Sequence, residues 1–507
     1  MTSPHSVPGP GHALSQPGGA LSPPDGALSL PSDALSPPSG AHSLSGGAFF
    51  PLDPALGEPV EVIGGKAHGL VRLLRLGLPV PPGFVIGASA CRRFLRDGRL
   101  PHGLDVAAGW LGAESVSVRS GAAVSMPGMM NTVLDVRGPI TPAVREVFES
   151  WNTPRAVTYR ELHGIPHDLG TAVIVQAMVH GDRDEQSGSG VAFSRDPGTG
   201  DPHPYGDVLF GRRGDAVVSG ECNTLPLAAL AEREPPVWSA LVAALNLIEQ
   251  HYRDACHVEF TYESARLWLL QLRPGGLTPR AAVRVAVDLA DEGLIDRREA
   301  VRRISPSRLR AAATPRMVVT SPPLRKRHAA NPPTRERAAS AGVADPPVRN
   351  TLADTAGLVA RGRGASPGVA TGRVALTADA AVRMQGPVVL VRPETSPLDM
   401  HGLAAAVGVV TARGGLASHA AVVARSLRKP AVVGASGLDA LAEGTEITID
   451  GSSGEIAWGA QASIAAGDDP HIGRLLAWAD AISGDDSPRP AEERLSAAQD
   501  RLLAAPG

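Results

Sequence analysis

The sequence predicts a multidomain chain of mixed α/β and α+β class, on three observations. Its 507 residues are 43% apolar and 20% charged, the balance of a globular protein with length for roughly two to four domains. Short Val-rich runs of strand type alternate with segments of helical period along most of the chain. Two such ordered stretches are separated by a run rich in Pro, Arg and Ala. A net charge of −3 argues against nucleic acid or a membrane surface as partner. The three cysteines (Cys91, Cys222, Cys256) form no CxxC, and there is neither a secretory segment nor an apolar run of membrane length, so the cytoplasm is the expected compartment.

Residues 1–50 carry a degenerate seven-residue repeat: GHALSQP, GGALSPP, DGALSLP, SDALSPP, SGAHSLS. Proline or glycine in each unit excludes a coiled coil in spite of the period. Unable to bury a core, the segment is expected to be a disordered arm. From Pro51 the text changes. KAHGLVRLLRLGLPVPPGFVI predicts an amphipathic helix with Leu70, Leu73 and Leu74 on one face, then a strand bounded by prolines. SVSVRS, AVIVQAMV, GVAFS, CHVEFTYE and RLWLLQLRP predict strands, and PPVWSALVAALNLIEQHYRD and RAAVRVAVDLADEGL predict helices, which together fill a domain over 51–310. Residues 311–357, with TSPPLRKRHAANPPTRERAAS, read as a flexible basic linker. A compact domain over 358–460 alternates GRVAL, PVVLVR, AVGVVTA, PAVVG and TEITID with turns and with a helix beginning at His419. The tail, 461–507, holds a helix at PHIGRLLAWADAI and a weakly periodic stretch from Leu495 to Leu503.

The chemistry starts at GVVTARGGLASHAAVVAR. Gly414 and Gly415 permit a tight turn and Ser418 is a competent N-cap, which places His419 in the first turn of a helix. Backbone N–H groups and the positive end of the helix dipole favour an anion there. Neutral imidazole is a nucleophile near neutral pH, so His419 is read as a carrier of a phosphoryl group. Only Lys66, Lys326 and Lys429 are lysines among 48 basic residues. In a chain that otherwise writes arginine, the lysine beside the glycines of VIGGKAHG is expected to be needed as lysine.

ASPGVATGRV, LVRPETSPLDMHGLAAAVGVVTARGG, SHAAVVAR and ITIDGSSGEI resemble the phosphohistidine swivelling domain of the pyruvate phosphate dikinase and phosphoenolpyruvate (PEP) synthase family. The resemblance implies that His419 is the residue phosphorylated. Ala417 stands where dikinases usually carry a threonine, in plants the site of regulatory phosphorylation, so that control is not expected. VIGGKAHGLVRLLRLGLPVPPGFVI and SVRSGAAVSMPGMMNTVL are similar to the family's nucleotide-binding domain, which implies an ATP-grasp-like fold. It also implies Lys66 as a phosphate contact, Arg119 as a neutraliser of phosphate charge, and Gly121 and Gly128 as points of close backbone approach. TPRAVTYRELHGIP, AVIVQAMVHGD and GSGVAFSRDPGTG continue the likeness. HVEFTYESARLWLLQLRPG resembles the strand pair that closes the ATP site, implying Glu259 as a ligand of Mg²⁺, Gln271 beside nucleotide and metal, and Arg273 on the phosphates.

The chain departs from the family's pattern at four further places. His257 occupies the position of an aspartate beside the metal, which predicts weaker Mg²⁺ binding. Ala123 replaces a second arginine of the phosphate loop, and a dikinase segment is missing between NTVLDVRGPI and VREVFESWNTPRAV. The last residues resemble only the connector and the eroded start of the TIM barrel that binds pyruvate or PEP, a fold that needs about 250 residues. The resemblance thus implies an ATP-dependent phosphotransferase equivalent to the N-terminal half of a dikinase. It would pass a phosphoryl group from Mg·ATP through His419 to phosphate or water, and to pyruvate only with a separate PEP/pyruvate-binding barrel subunit. Two readings stand beside it: a catalytically degenerate nucleotide-binding regulator, and a relative of the rifamycin-type antibiotic phosphotransferases.

Overall fold

Three sheets, a two-stranded ribbon and a helical bundle make up the computed structural model, which describes residues 48–126, 128–214, 224–313, 316–318, 357–416, 418–464 and 469–504. The repeat arm up to residue 47, nearly all of the expected linker, Cys222, Lys326 and Ala417 lie outside the described residues. The chain is a mixed α/β multidomain protein, as the sequence predicts.

The first sheet is antiparallel, in the order Phe49–Pro51, Gly83–Ile86, Ala172–Ala177, Val116–Gly121, Thr132–Val136. The predicted amphipathic helix spans Val60–Arg75 and buries Leu70 and Leu73 completely, with Leu74 packed at the edge of the same core. It is kinked at Gly64 (φ +78°), where a Cβ would lie 1.6 Å from the carbonyl oxygen of Gly121. No other residue fits there. The helix restarts at Gly65, whose N–H donates to Ala122 (3.0 Å), so Lys66 stands in a first turn over the loop that follows Val116–Gly121.

The second sheet is also antiparallel: Arg266–Pro274, Cys256–Glu263, Gly188–Phe193, Tyr205–Phe210, Leu225–Pro226. Along Cys256–Glu263 the side chains alternate as a pleated strand requires. Cys256, Val258 and Phe260 enter the core beneath the helix Pro235–Tyr252, which puts His257 and Glu259 on the other face. The neighbouring strand first pairs Leu267 with Tyr262 and Leu269 with Phe260, all core residues. The register then shifts by one between Leu269 and Gln271, so Gln271 pairs with Glu259 and Arg273 with His257. Leu270 is the extra residue of this bulge. Without it, period-two alternation would send Gln271 and Arg273 into the apolar core.

The third sheet has eight strands, ordered Leu358–Arg361, Glu455–Trp458, Glu446–Asp450, Val369–Ala375, Val388–Arg392, Gly408–Thr411, Ala431–Val433, Arg363–Ser366. Its first and last members are joined by Gly362 alone, so the sheet curls until its edges meet. Gly362 passes where a Cβ would be 2.7 Å from the Val433 oxygen. From Val369–Ala375 to Ala431–Val433 neighbouring strands are parallel, and the helix His419–Ser426 connects the last two of these. Its start therefore lies at the carboxyl end of Gly408–Thr411, the edge at which open α/β sheets bind ligands.

The ribbon pairs Arg316–Val318 with Ala462–Ile464, on either side of the third sheet in sequence. Beyond it, Pro470–Ser483 and Ala491–Ala504 return to pack Leu475, Ala479, Leu495 and Leu502 into one apolar cluster with Val283, Val301 and Leu309. The C-terminal helices and those of 279–312 thus share a core.

Candidate active site

A cavity of about 1650 Å³ lies where the nucleotide-type half meets the third sheet. Lys66, Arg119, Gly121 and Gly128 line it from one side. Glu259, Gln271 and Arg273 line it from the strand pair, and His419 from the helix start. These eight residues face one space, and Ala123 and His257 line it as well.

Its charge is one-sided. Lys66, Arg119, Arg273, Arg308, Arg425 and Arg428 stand against one carboxylate, Glu259, among the described lining residues. Arg119 donates to the Leu270 carbonyl that the bulge exposes (2.8 Å) and to Glu259 Oε2 (3.2 Å). Arg273 Nη2 lies 3.7 Å from Glu259 Oε1 and abuts the Gln271 amide, which can accept from the guanidinium only with its oxygen turned toward it. Burial, with Arg119 adding to it, holds Lys66 well below the usual lysine range. Burial alone would push Glu259 up, but Arg273, Arg119 and Lys66 outweigh it and keep the carboxylate ionised. Such a surplus of buried positive charge selects a polyanion, and a polyphosphate supplies charge and acceptor oxygens together.

His419 opens its helix as predicted. Ser418 caps it by accepting from the Ala421 N–H (3.4 Å), and the chain reaches it through Gly414 at φ +96°. Gly128, at φ +72°, packs so close that a Cβ there would be 3.2 Å from His419 Nδ1. Nε2 is buried without a partner among the described residues. Burial lowers the imidazole's pKa, and Arg155 adds to this against Asp399, so the ring stays neutral and nucleophilic at physiological pH.

The helix is held by contacts no local motif announces. Asp207, 1% exposed, accepts from the Leu416 N–H (3.1 Å) and from Thr224 Oγ1 (3.1 Å), and pairs with Arg363. Gly415 must be glycine here, because a Cβ would stand 2.2 Å from Asp207 Oδ2. At the far end Ser426 meets His163 Nε2 at 3.1 Å and Tyr159 at 3.5 Å. Sequence reading also missed Arg425, which donates to the carbonyls of Ala365 (2.9 Å) and Leu416 (2.8 Å). Its one signal was an arginine inside an otherwise small, apolar helix.

The metal expectation fares differently. Among the described residues no group of three or more His, Cys, Asp or Glu is placed to hold a metal ion. Glu259 already faces two arginines, and the Gln271 amide abuts Arg273. His257 stacks on Phe193 (ring centroids 4.3 Å apart, planes 8° apart), and its Nε2 is buried without a partner among the described residues. Burial and Arg273 push its pKa down to about 3, so it is a neutral imidazole. From this strand face Glu259 is the single hard oxygen ligand, and the imidazole of His257 is a poorer partner for Mg²⁺ than a second carboxylate would be.

Comparison with known proteins accords with this geometry. Residues 60–108 and 104–224 match the pyruvate phosphate dikinase AMP/ATP-binding domain, and residues 384–454 match the mobile domain of PEP-utilising enzymes. The pyruvate, phosphate dikinase of Rhizobium meliloti (strain 1021) is 33% identical over 84% of this chain and 59% of its own length. Pyruvate, phosphate dikinase 2 of Zea mays is 31% identical over 83% of this chain and 58% of its own length. The chain thus spans a little over half of these relatives. A solved structure of the D-cycloserine synthetase DcsG aligns over 45% of this chain at 15% identity with a TM-score of 0.25, too low to bear on the fold. No helix among the described residues is long and apolar enough to cross a membrane. With both modules matched in order along the chain, this protein belongs to the pyruvate phosphate dikinase family.

Proposed function

We propose that this chain is an ATP-dependent phosphotransferase in which a swivelling domain (358–460) carries a phosphoryl group on His419 away from an ATP-grasp-like domain (51–310). The observation that carries the reading is the meeting of His419, neutral and with Nε2 unpartnered among the described residues, with Lys66, Arg119 and Arg273 in one cavity. Two antiparallel sheets beside that cavity support the ATP-grasp part.

In this reading the Nε2 lone pair attacks the β-phosphorus of ATP. The bond from that phosphorus to the α–β bridging oxygen breaks, and AMP leaves with the oxygen. Transfer of the γ-phosphoryl group to phosphate or water then leaves a phosphohistidine. Lys66, Arg119 and Arg273 stabilise charge on the transferring group, the main requirement of phosphoryl transfer. Because Nε2 is buried in the present arrangement, the domain must shift before Nε2 can meet a nucleotide. A basic linker across 311–357 would give it that freedom. The phosphoryl group would then go to an acceptor held elsewhere, in the simplest case by a separate PEP/pyruvate-binding barrel subunit. Enzymes of the family use ATP with Mg²⁺; no step above passes through a metal.

The test is incubation with β- and, separately, γ-labelled ATP, in parallel with Mg²⁺ and with Mn²⁺. Acid-labile, base-stable label from the β position, absent in His419→Ala, is expected. ATP bound without label under either cation would sink the reading and leave the nucleotide-binding regulator, which the imidazole at position 257 favours.

A further inference from the structure

Strand geometry places His257 and Glu259 two residues apart on the same face of Cys256–Glu263, both lining the cavity. The bulge at Leu270 brings Gln271 opposite Glu259 and Arg273 opposite His257. The His257 ring cannot turn freely, because it is stacked on Phe193, its register partner on the adjacent strand. Its Nε2 is buried and has no hydrogen-bond partner among the described residues, in a protein interior where such atoms ordinarily find one. An imidazole whose buried nitrogen lacks a partner among the described residues, on the same strand face as a carboxylate and lining the same cavity, supplies half of a metal site once nucleotide binding uncovers Nε2. The other half would be phosphate oxygens and water.

We propose that His257 Nε2 and Glu259 together hold a borderline divalent cation, of the Mn²⁺ or Co²⁺ class, that accompanies the nucleotide in place of Mg²⁺. The inference rests on the reading of the cavity as a nucleotide site. The reason is ligand chemistry. Imidazole is a good donor to transition metals and a poor one to magnesium, which keeps carboxylate, phosphate and water. The second requirement is release of Glu259 from Arg119 and Arg273. Phosphate oxygens supply it, since a bound triphosphate offers both guanidinium groups a better-matched anion. Metal and nucleotide are therefore expected to bind together, with the free protein showing little affinity for the cation alone.

The test uses Mn²⁺ and a non-hydrolysable ATP analogue on the full chain, read by pulsed electron paramagnetic resonance. A ¹⁴N coupling to Mn²⁺ is expected in the wild-type complex and is lost in His257→Gln, while the analogue stays bound. Competition gives a second reading: the Mg²⁺ concentration needed to displace Mn²⁺ is expected to fall about tenfold or more in His257→Asp. Absence of nitrogen coupling in the wild type overturns the proposal whether or not any variant folds. So does coupling that persists in His257→Gln, or a displacement curve that His257→Asp does not move. A fluorescent ATP analogue separates this from the broader reading. Analogue bound without nitrogen coupling rejects only the metal assignment, whereas no binding under any cation rejects the nucleotide site and the metal with it.

Discussion

The strand pair Cys256–Glu263 and Arg266–Pro274 and the helix His419–Ser426 both bring positive charge to one cavity, but they balance it differently. At the strands, Glu259 pairs with Arg273 of the neighbouring strand and with Arg119 of the first sheet, so that wall carries an internal counterion. On the helix, Arg425 donates to the carbonyls of Ala365 and Leu416, and among the described residues no carboxylate pairs with it in its buried position. Burial and the nearby Arg273 bring its pKa down to about 10. The strand wall thus has a partial counterion of its own, whereas the helix brings a cation with none to a cavity that already holds several. An anion between them stabilises the meeting, and its loss favours separation.

The sharpest way to break the comparison is to remove the one group that only the helix wall owns. His419→Ala is expected to abolish β-phosphoryl labelling while ATP binding persists, because the proposed phosphate contacts, Lys66, Arg119 and Arg273, line other sides of the cavity. Equal loss of binding, by filter retention of labelled ATP, would mean that the two walls do not act separately.

Next in size is docking. Gly415→Ala places a methyl group within 2.2 Å of a buried carboxylate oxygen, and Asp207 can yield only by giving up Leu416 or Arg363. A displacement of about 1 Å at the nucleophile costs on the order of 100-fold in rate. The labelling rate is expected to fall by that factor with the nucleotide's dissociation constant unchanged, and a rate within twofold of wild type would show that the clasp does not position His419.

Glu259→Gln probes the opposite wall. Removing the counterion leaves the buried Arg119 and the partly buried Arg273 without it, and a loss of about 2 kcal/mol in unfolding free energy is expected. Because ligand anions can replace the carboxylate, pyrophosphate should restore more stability to the variant than it adds to the wild type. Denaturant titrations with and without pyrophosphate make the comparison.

What the sequence made legible follows from how local each feature is. Helix starts are local, so SHAAVVAR sufficed to place His419, and the glycines of VIGGK announced the turn that brings Lys66 over the loop. The strands CHVEFTYE and RLWLLQLRP were equally plain from alternation. Their relative register was not, because a bulge at Leu270 leaves no mark in a run whose apolar and polar residues look continuous either way. Arg425 and Asp207 were missed for a related reason: their partners lie 9 to 209 residues away in sequence. The return of the helices Pro470–Ser483 and Ala491–Ala504 onto those of 279–312 was invisible too, since an amphipathic helix advertises a buried face without naming what covers it.

The smallest effect is one of pH, and it separates the two histidine positions of the cavity. His257 has its pKa pushed from 6.5 to about 3 by burial and by Arg273, with Glu259 opposing and Arg425 adding to the depression. The unfolded chain takes up that proton first as pH falls, so stability present above the unfolded pKa is lost from 6.5 downward toward 3. The slope from this one group approaches about 1.4 kcal/mol per pH unit. His419 is also depressed by burial, but less far, and it remains in a His257→Phe variant. Subtracting the variant's stability curve from that of the wild type between about pH 7 and 5.5, above the range in which ordinary carboxylates titrate, leaves the contribution of His257 alone. A difference that grows as pH falls fits a buried neutral imidazole whose nitrogen is free for a ligand. A flat difference would place His257 in contact with solvent and remove it from the cavity's chemistry.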